Sequence, residues 1–286
     1  MKILVTGGSG FLGRRTAAYF RGLGHEVLAP SHEQLDITDR ESVRVWFHEN
    51  RPEAVLHTAA VSDTGRCQQQ PEWSQTINVD GCVHLAENCR EFGSKLVICS
   101  SDQVYAGSFI PGPHREEEEL SPGNVYGGQK LRAERKCLAI CPETVCLRLS
   151  WMYDKCSYPG EHGHFLTILR EAMDDSTKIL NWPIHDRRGL TDVTAVIENL
   201  PLALKLPGGV YNFGSENGKN TYETIRNVLT TLGMDALLSR LTPNEEAFAK
   251  DPRDISMDLT KTNAAGITFP TTEEGLVRVL KGVQCL

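Results

Sequence analysis

The sequence predicts an α/β chain: a doubly wound parallel sheet of the Rossmann type, joined to a small C-terminal α/β lobe that takes the substrate. Three observations predict it. Apolar runs of strand length alternate with amphipathic stretches of helical length from Lys2 to Tyr153. The first run leads straight into glycines at three-residue steps, Gly7, Gly10 and Gly13. After about Ser157 the alternation loosens. The expected division is a dinucleotide-binding domain over 1–154, to which 186–214 returns, and a substrate lobe over 155–185 and 215–286.

Lys2–Thr6 reads as a buried strand, and Phe11 and Leu12 begin an amphipathic helix running to about Gly24. A strand, a glycine turn and a helix N-terminus make a pyrophosphate cradle. Gly7 allows the tight turn, Gly10 lets the backbone approach the phosphates, and Gly13 lets helix and strand pack closely. The backbone N–H groups at Phe11 and Leu12, with the positive end of the helix dipole, favour the anion. The second strand, His25–Ala29, ends in Pro30-Ser31-His32. An acidic residue here would bond the ribose hydroxyl pair of NAD. None is present, and Ser31 and His32 tolerate a 2′-phosphate. No Arg or Lys stands beside them, so the cofactor reads as NADP(H) or NAD(H), with NADP(H) favoured only slightly. Thr38 or Asp39 then caps a helix over Arg40–Glu49.

Ala54–Thr58 is the third strand. It enters Ala59-Ala60, small residues that let a flat cofactor lie against the backbone where open parallel sheets bind ligands. His57, with no visible partner, reads as a packing histidine. Asn78 opens a helix to about Phe92, either bridging backbone groups near the cofactor or lying on the helix surface. Lys95–Cys99 is the fourth strand and ends in Ser100-Ser101-Asp102-Gln103-Val104-Tyr105. Hydroxyls at such a strand end lie at the ligand crevice. Asn124 to about Ile140 is a helix in which Tyr126 and Lys130, four apart, share one face. A phenol near an ammonium suits proton transfer: free tyrosine titrates near pH 10, and a neighbouring cation favours phenolate. Ser101 is placed to bond a substrate carbonyl oxygen.

Composition excludes other classes. The 286 residues carry a formal charge of −7 and no long basic run, against a nucleic-acid polymer as partner. No run is long enough to span a membrane, and the immediate entry into a strand leaves no room for a signal peptide. Nine cysteines without a Cys-x-x-Cys pair suit reduced thiols in the cytoplasm. Glu161, His162, His164 and Cys156 lack metal-ligand spacing, so no metal is expected.

The run Thr6–Gly13, the Ser100–Tyr105 strand end and the Tyr126–Lys130 pair together resemble the extended branch of the short-chain dehydrogenase/reductase superfamily. Within the epimerase/dehydratase group of that branch, the chain is most similar to the dTDP-4-dehydrorhamnose reductase family. Arg148-Leu149-Ser150-Trp151-Met152-Tyr153 is similar to its Arg-x-x-Trp-Val-Tyr block, and Pro252-Arg253-Asp254 with Asp258 and Lys261 to its late segment. The resemblance implies hydride transfer from NAD(P)H to the 4-keto carbon of a nucleotide-linked deoxysugar. It makes Tyr126 the proton donor and Ser101 the group polarising the carbonyl. Lys130 then holds the nicotinamide ribose and tunes Tyr126. Gly7, Gly10, Phe11, Leu12, Ser31, Asp36, Ile37, Ala59, Ala60 and Ser100 complete the cofactor site, with Asp36 accepting from the adenine amine and Ile37 packing on the ring. Asp102, Trp151 and Arg188 join Ser101 and Tyr126 around the substrate, Trp151 either walling in the sugar or serving as a buried aromatic. Arg187 and Arg188 are either diphosphate ligands or solvated loop charges. A homodimer through helices flanking the sheet follows by analogy.

The chain also departs from that family's pattern. Ser101 stands where Thr is usual, Gln103 where an aromatic is usual, and His185–Asp192 lacks the proline of the usual Asp-Gln-x-Gly-x-Pro-Thr. Two alternatives stay open: a nucleotide-sugar epimerase on the same scaffold, and a non-catalytic NADP-binding regulatory subunit like that of methionine adenosyltransferase. The Asp102-Gln103 pair lacks the Asp-Glu of dehydratases.

Overall fold

The computed structural model of the chain describes residues 1–156, 158 and 165–284. Its strands are β1 (Lys2–Thr6), β2 (Glu26–Leu28), β3 (Ala54–His57), β4 (Lys95–Ser101), β5 (Val145–Leu149), β6 (Trp151–Tyr153), β7 (Leu180–Pro183), β8 (Asp186–Arg187), β9 (Leu190–Asp192), β10 (Gly209–Phe213), β11 (Leu241–Asn244) and β12 (Arg253–Asp254). The helices are α1 (Phe11–Gly22), α2 (Arg40–Asn50), α3 (Thr64–Gln69), α4 (Pro71–Gln75), α5 (Gly81–Phe92), α6 (Val125–Ile140), α7 (Phe165–Asp174), α8 (Val193–Ala203), α9 (Thr221–Thr231), α10 (Asp235–Leu238), α11 (Thr260–Ala264) and α12 (Thr272–Gln284).

Six strands form the central sheet in the order β10-β5-β4-β3-β1-β2, every neighbouring pair parallel. A parallel sheet is covered on both faces, which explains why its strands read as continuous apolar runs. Ile3, Val5, Leu56, Val97 and Leu147 pack on one face with Ala17 and Phe20 of α1 and Val196 and Leu200 of α8. Leu4, Val55, Leu96, Ile98 and Cys146 pack on the other with Val43 and Phe47 of α2, Leu85 of α5 and Cys137 of α6. Chain order reverses at β1, with β2 on one side and β3 on the other. The crevice at the strands' carboxyl ends opens at this reversal.

The helix starts follow from capping chemistry. Asp39 caps α2, accepting from the N–H groups of Glu41 (2.9 Å) and Ser42 (3.3 Å), and Asn124 caps α6, accepting from Gly127 (2.8 Å). The expected helix from Asn78 is two pieces: a π-helical turn over Thr76–Asp80, then α5. The wider turn carries Asn78, whose side chain accepts from Val61 N–H (2.8 Å) and donates to Val61 C=O (3.0 Å). It therefore braces the loop after β3 and is not a surface residue.

The smaller lobe joins its strands in parallel pairs, β6 with β9, β7 with β11 and β8 with β12. Tyr153, Phe165, Leu169, Trp182, Ile225, Leu229, Leu276 and Leu280 form its core. The expected lobe over 215–286 is interrupted. Ile255, Met257 and Leu259 alternate along the chain, so their side chains fall on one face. They pack against Val104, Tyr105, Leu120 and Leu131 of the nucleotide side. Ile267 joins the core of the central sheet. The returning segment is also mixed: α8 and β10 lie on the sheet, while β8 and β9 pair with strands outside it.

Candidate active site

The glycine turn sits between β1 and α1 at the crevice. Gly7 has φ +68°, and a Cβ there would lie 2.8 Å from the Ala59 backbone. A Cβ on Gly13 would collide with the Gly7 carbonyl oxygen. Both glycines are thus packing requirements. Gly10 differs: its N–H donates to Gly7 C=O (2.9 Å), and a Cβ there would meet only the Gly7 oxygen, at 3.3 Å. That open face, with the first-turn N–H groups that a helix does not itself use, is a cradle that fits a dinucleotide pyrophosphate. A side chain at Gly10 would fill it.

Past the end of β2, Ser31 and His32 are exposed, and Ser31 N–H donates to Gln34 Oε1 (2.8 Å). Asp36 accepts from Thr38 N–H (2.9 Å) and Thr38 Oγ1 (2.7 Å). Burial pushes its carboxyl up, but the Thr38 hydrogen bonds and His32 outweigh it and hold the group below its usual range. Ile37 is buried against Gly81, where a Cβ would come within 2.8 Å of it. Ala59 and Ala60 are half-buried beside the glycine turn. His57 is buried between Thr6 Oγ1 (2.7 Å) and Cys82 Sγ (3.2 Å), a packing histidine.

Ser101, Tyr126 and Lys130 come together. Ser101 ends β4, and Tyr126 and Lys130 face it from α6. Gly127 explains the close approach, since a Cβ there would collide with the Gln103 carbonyl. The Ser101 side chain lies close enough to the Tyr126 hydroxyl to lower its pKa. Lys130 Nζ donates to Cys99 C=O (2.8 Å) and lies 5.7 Å from the Tyr126 ring centroid. The sequence expects Lys130, together with an oxidised nicotinamide, to lower the Tyr126 pKa; Lys130 does lower it, but the protein's own groups on balance do not. Burial raises it by more than Lys130 and Ser101 lower it, so Tyr126 is a phenol at neutral pH. Ser101 Oγ donates to Asp102 Oδ1 (3.2 Å) and accepts from Gln103 N–H (3.2 Å).

Asp102 and Trp151 stand beside this group, joined by Arg188. Arg188 Nη2 donates to Asp102 Oδ2 (2.7 Å), and its guanidinium lies 5.4 Å from the Trp151 ring centroid. Trp151 is half-buried, edge-on to Phe165. Arg187 is exposed and paired with Asp254 (3.0 Å), and Arg253 is paired with Asp186 (2.7 Å). All three arginines at this rim already hold a carboxylate.

Ser100 is placed differently from Ser101. Successive strand residues point to opposite faces, and the Ser100 hydroxyl donates to Glu134 of α6. Glu134 accepts from Arg148 Nε (3.0 Å) and Nη2 (2.8 Å), both residues almost fully buried. Arg148 Nη1 donates to the Tyr105 hydroxyl (2.8 Å), which donates to Asn212 (2.7 Å). This network ties α6 to β4, β5 and β10. Sequence reasoning missed Glu134; its signal was its position one turn after Lys130 on the same helix face. Among the described residues, no group of three or more His, Cys, Asp or Glu side chains is placed to hold a metal ion, and no helix is long and apolar enough to cross a membrane. Glu161, His162 and His164 lie outside the described residues. The described cysteines are free thiols.

The family of the RmlD substrate binding domain matches residues 1–285. A dTDP-4-dehydrorhamnose reductase of Streptomyces griseus is 30% identical over 92% of this chain and 88% of its own length. A dTDP-4-keto-6-deoxy-D-glucose reductase of Streptomyces niveus is 31% identical over 93% and 91%. The methionine adenosyltransferase 2 subunit beta of Pongo abelii is 26% identical over 93% and 83%. Among solved structures, a dTDP-4-dehydrorhamnose reductase of Bacillus anthracis in complex with NADP superposes with a TM-score of 0.85 at 21% identity, covering 98% of each chain. That likeness confirms the Rossmann-type fold.

Proposed function

The chain belongs to the RmlD substrate binding domain family, and we propose that it reduces the 4-keto carbon of a nucleotide-linked deoxysugar with NAD(P)H, as a dTDP-4-dehydrorhamnose reductase does. It is an NAD(P)-dependent oxidoreductase of the extended short-chain dehydrogenase/reductase type. The observation that carries the substrate reading is the meeting of Ser101, Tyr126 and Lys130 at the crevice beside the glycine turn.

The nicotinamide, when bound, supplies the hydride. The chain's residues do the rest. The turn at Gly7 and Gly10 and the start of α1 at Phe11 and Leu12 hold the pyrophosphate, Asp36 and Ile37 meet the adenine, and Ala59 and Ala60 let the cofactor lie flat. Lys130 holds the nicotinamide ribose and keeps a positive charge near Tyr126. Ser101 turns its hydroxyl to the carbonyl oxygen, and Tyr126 gives that oxygen its phenolic proton. Burial favours the protonated phenol, which is the form a reduction consumes. Trp151 walls one side of the sugar, and Asp102 and Arg188 line the same pocket.

NADP(H) is the cofactor we favour, because Ser31 and His32 are exposed past the end of β2, where they would tolerate a 2′-phosphate. Steady-state oxidation of NADPH and of NADH against a panel of dTDP- and UDP-linked 4-keto sugars tests both points. Turnover is expected with a dTDP-linked 4-keto-6-deoxysugar, faster with NADPH. Tight cofactor binding with no turnover on any member would favour the regulatory alternative.

A further inference from the structure

Asp102 is the least exposed carboxylate at the reacting centre, 1% exposed and next in sequence to Ser101. Its two oxygens have different partners: Oδ1 accepts from Ser101 Oγ (3.2 Å) and Oδ2 from Arg188 Nη2 (2.7 Å). Ser101 in turn lies beside Tyr126. A chain of contacts therefore runs from the proton donor through Ser101 and Asp102 to Arg188, which arrives from the β8–β9 connection.

An isolated buried carboxylate here would work against the reaction. Its charge opposes negative charge on the reduced carbonyl oxygen and on the Tyr126 oxygen, and in a buried site that repulsion is weakly screened. The groups facing Tyr126 are Lys130 on its own helix, Ser101 and Asp102 from the end of β4, and Cys67 from α3. Those facing Asp102 are Ser101, Arg188 and, farther off, Arg253. Arg253 already pairs with Asp186. Among the described residues, Arg188 is the one cation within ion-pairing distance of Asp102. Its side chain is 12% exposed, its guanidinium is held against Trp151, and among the described residues its buried Nε has no hydrogen-bond partner. This is the geometry of an internal counter-ion more than of a surface anchor for phosphate.

We infer that Arg188 is a positioning residue that neutralises Asp102, so that Ser101 and Tyr126 work beside a charge-balanced pair and not a bare carboxylate. The inference rests on the reading of Ser101 and Tyr126 as the carbonyl-binding and proton-donating groups. It differs from the reading of Arg188 as a diphosphate ligand, because its effect passes through Asp102.

Three variants test it: Arg188→Met, Arg188→Lys, and Asp102→Asn combined with Arg188→Met. The first readout needs no substrate. Melting temperatures are measured from about pH 5 to about pH 9. Burial already holds the Asp102 carboxyl above its usual range despite Arg188, and without Arg188 it should rise further, so the folded variant binds a proton that the unfolded chain has lost and its stability falls more steeply than the parent's as pH rises. The deficit of Arg188→Met against the parent chain should widen with pH. The double variant should abolish that slope, and Arg188→Lys should reduce it by keeping the charge without the fork.

The second readout is the pH–rate profile of the proposed reduction. In Arg188→Met, kcat should fall by roughly tenfold between the acid and alkaline ends relative to the parent, the effect of about one pKa unit of differential interaction. Cofactor affinity should hold. Parallel melting curves across the range would overturn the inference, as would a pH-independent rise in substrate KM with kcat unchanged. If the parent chain turns over no 4-keto nucleotide sugar but the melting slope appears and vanishes as described, the neutralisation stands and the catalytic reading fails.

Discussion

Tyr126→Phe is expected to lose most of its turnover while binding cofactor nearly as well as the parent chain. The substitution removes one hydroxyl and leaves the ring, which is buried on α6 and packs near Lys130. What disappears is the hydroxyl beside Ser101 that we propose delivers the proton to the carbonyl oxygen. General acid catalysis by a positioned side chain contributes about 10²- to 10⁴-fold, so kcat should fall within that range. The Lys130 contact to Cys99 C=O does not involve the phenol, so the dissociation constant for NADP(H), read by fluorescence titration, should move little. A variant that keeps full kcat would show that another group donates the proton.

The largest expected effect on stability lies at Arg148 of β5, the buried partner of Glu134 on the same helix. Arg148→Ala leaves the Glu134 carboxylate buried without its bidentate partner. Breaking a buried pair from one side typically costs about 3–5 kcal/mol. For a chain of this size that is on the order of a 10 °C fall in melting temperature. The loss is aggravated because Arg148 also donates to the Tyr105 hydroxyl, which reaches Asn212 of β10. Replacing both partners, Glu134→Leu with Arg148→Met, should recover much of it, since an apolar pair of similar volume leaves no buried charge. Thermal melts of the two variants check this: equal destabilisation of both would mean that the network contributes mainly through shape.

Most of the nucleotide side was legible in the sequence because its signals are local. A strand, a glycine turn and a helix start lie within thirteen residues, and strand burial on both faces leaves unbroken apolar runs. β4 is longer than Lys95–Cys99 because Ser100 and Ser101 continue the ladder beside Arg148 and Leu149 of β5, a pairing that strand propensity does not record. The π-helical turn was illegible for a similar reason. Asn78 widens the helix to reach Val61, a residue seventeen positions earlier.

The candidate site was legible as residue types more than as charges. Ser101, Tyr126 and Lys130 declared themselves by order and spacing. Arg188 reads as a diphosphate ligand or a solvated loop charge because Asp102, its partner, is 86 positions away in the chain. Ser100 reads in sequence as a cofactor-site residue, but the alternation of the strand turns its hydroxyl to Glu134. The lobe was least legible. Its short parallel pairs, such as β8 with β12, join segments far apart in sequence, and no periodicity announces two-residue strands.

The most direct test of the central claim is the fate of the hydride. The chain is incubated with NADPH deuterated at the transferable position of the nicotinamide and with a dTDP-linked 4-keto-6-deoxysugar, and the sugar product is examined by mass spectrometry and proton NMR. One deuterium per product, located at carbon 4, is the predicted result, and Tyr126→Phe should form little of that product. Product without deuterium, or deuterium at any other carbon, would contradict reduction at the 4-keto position.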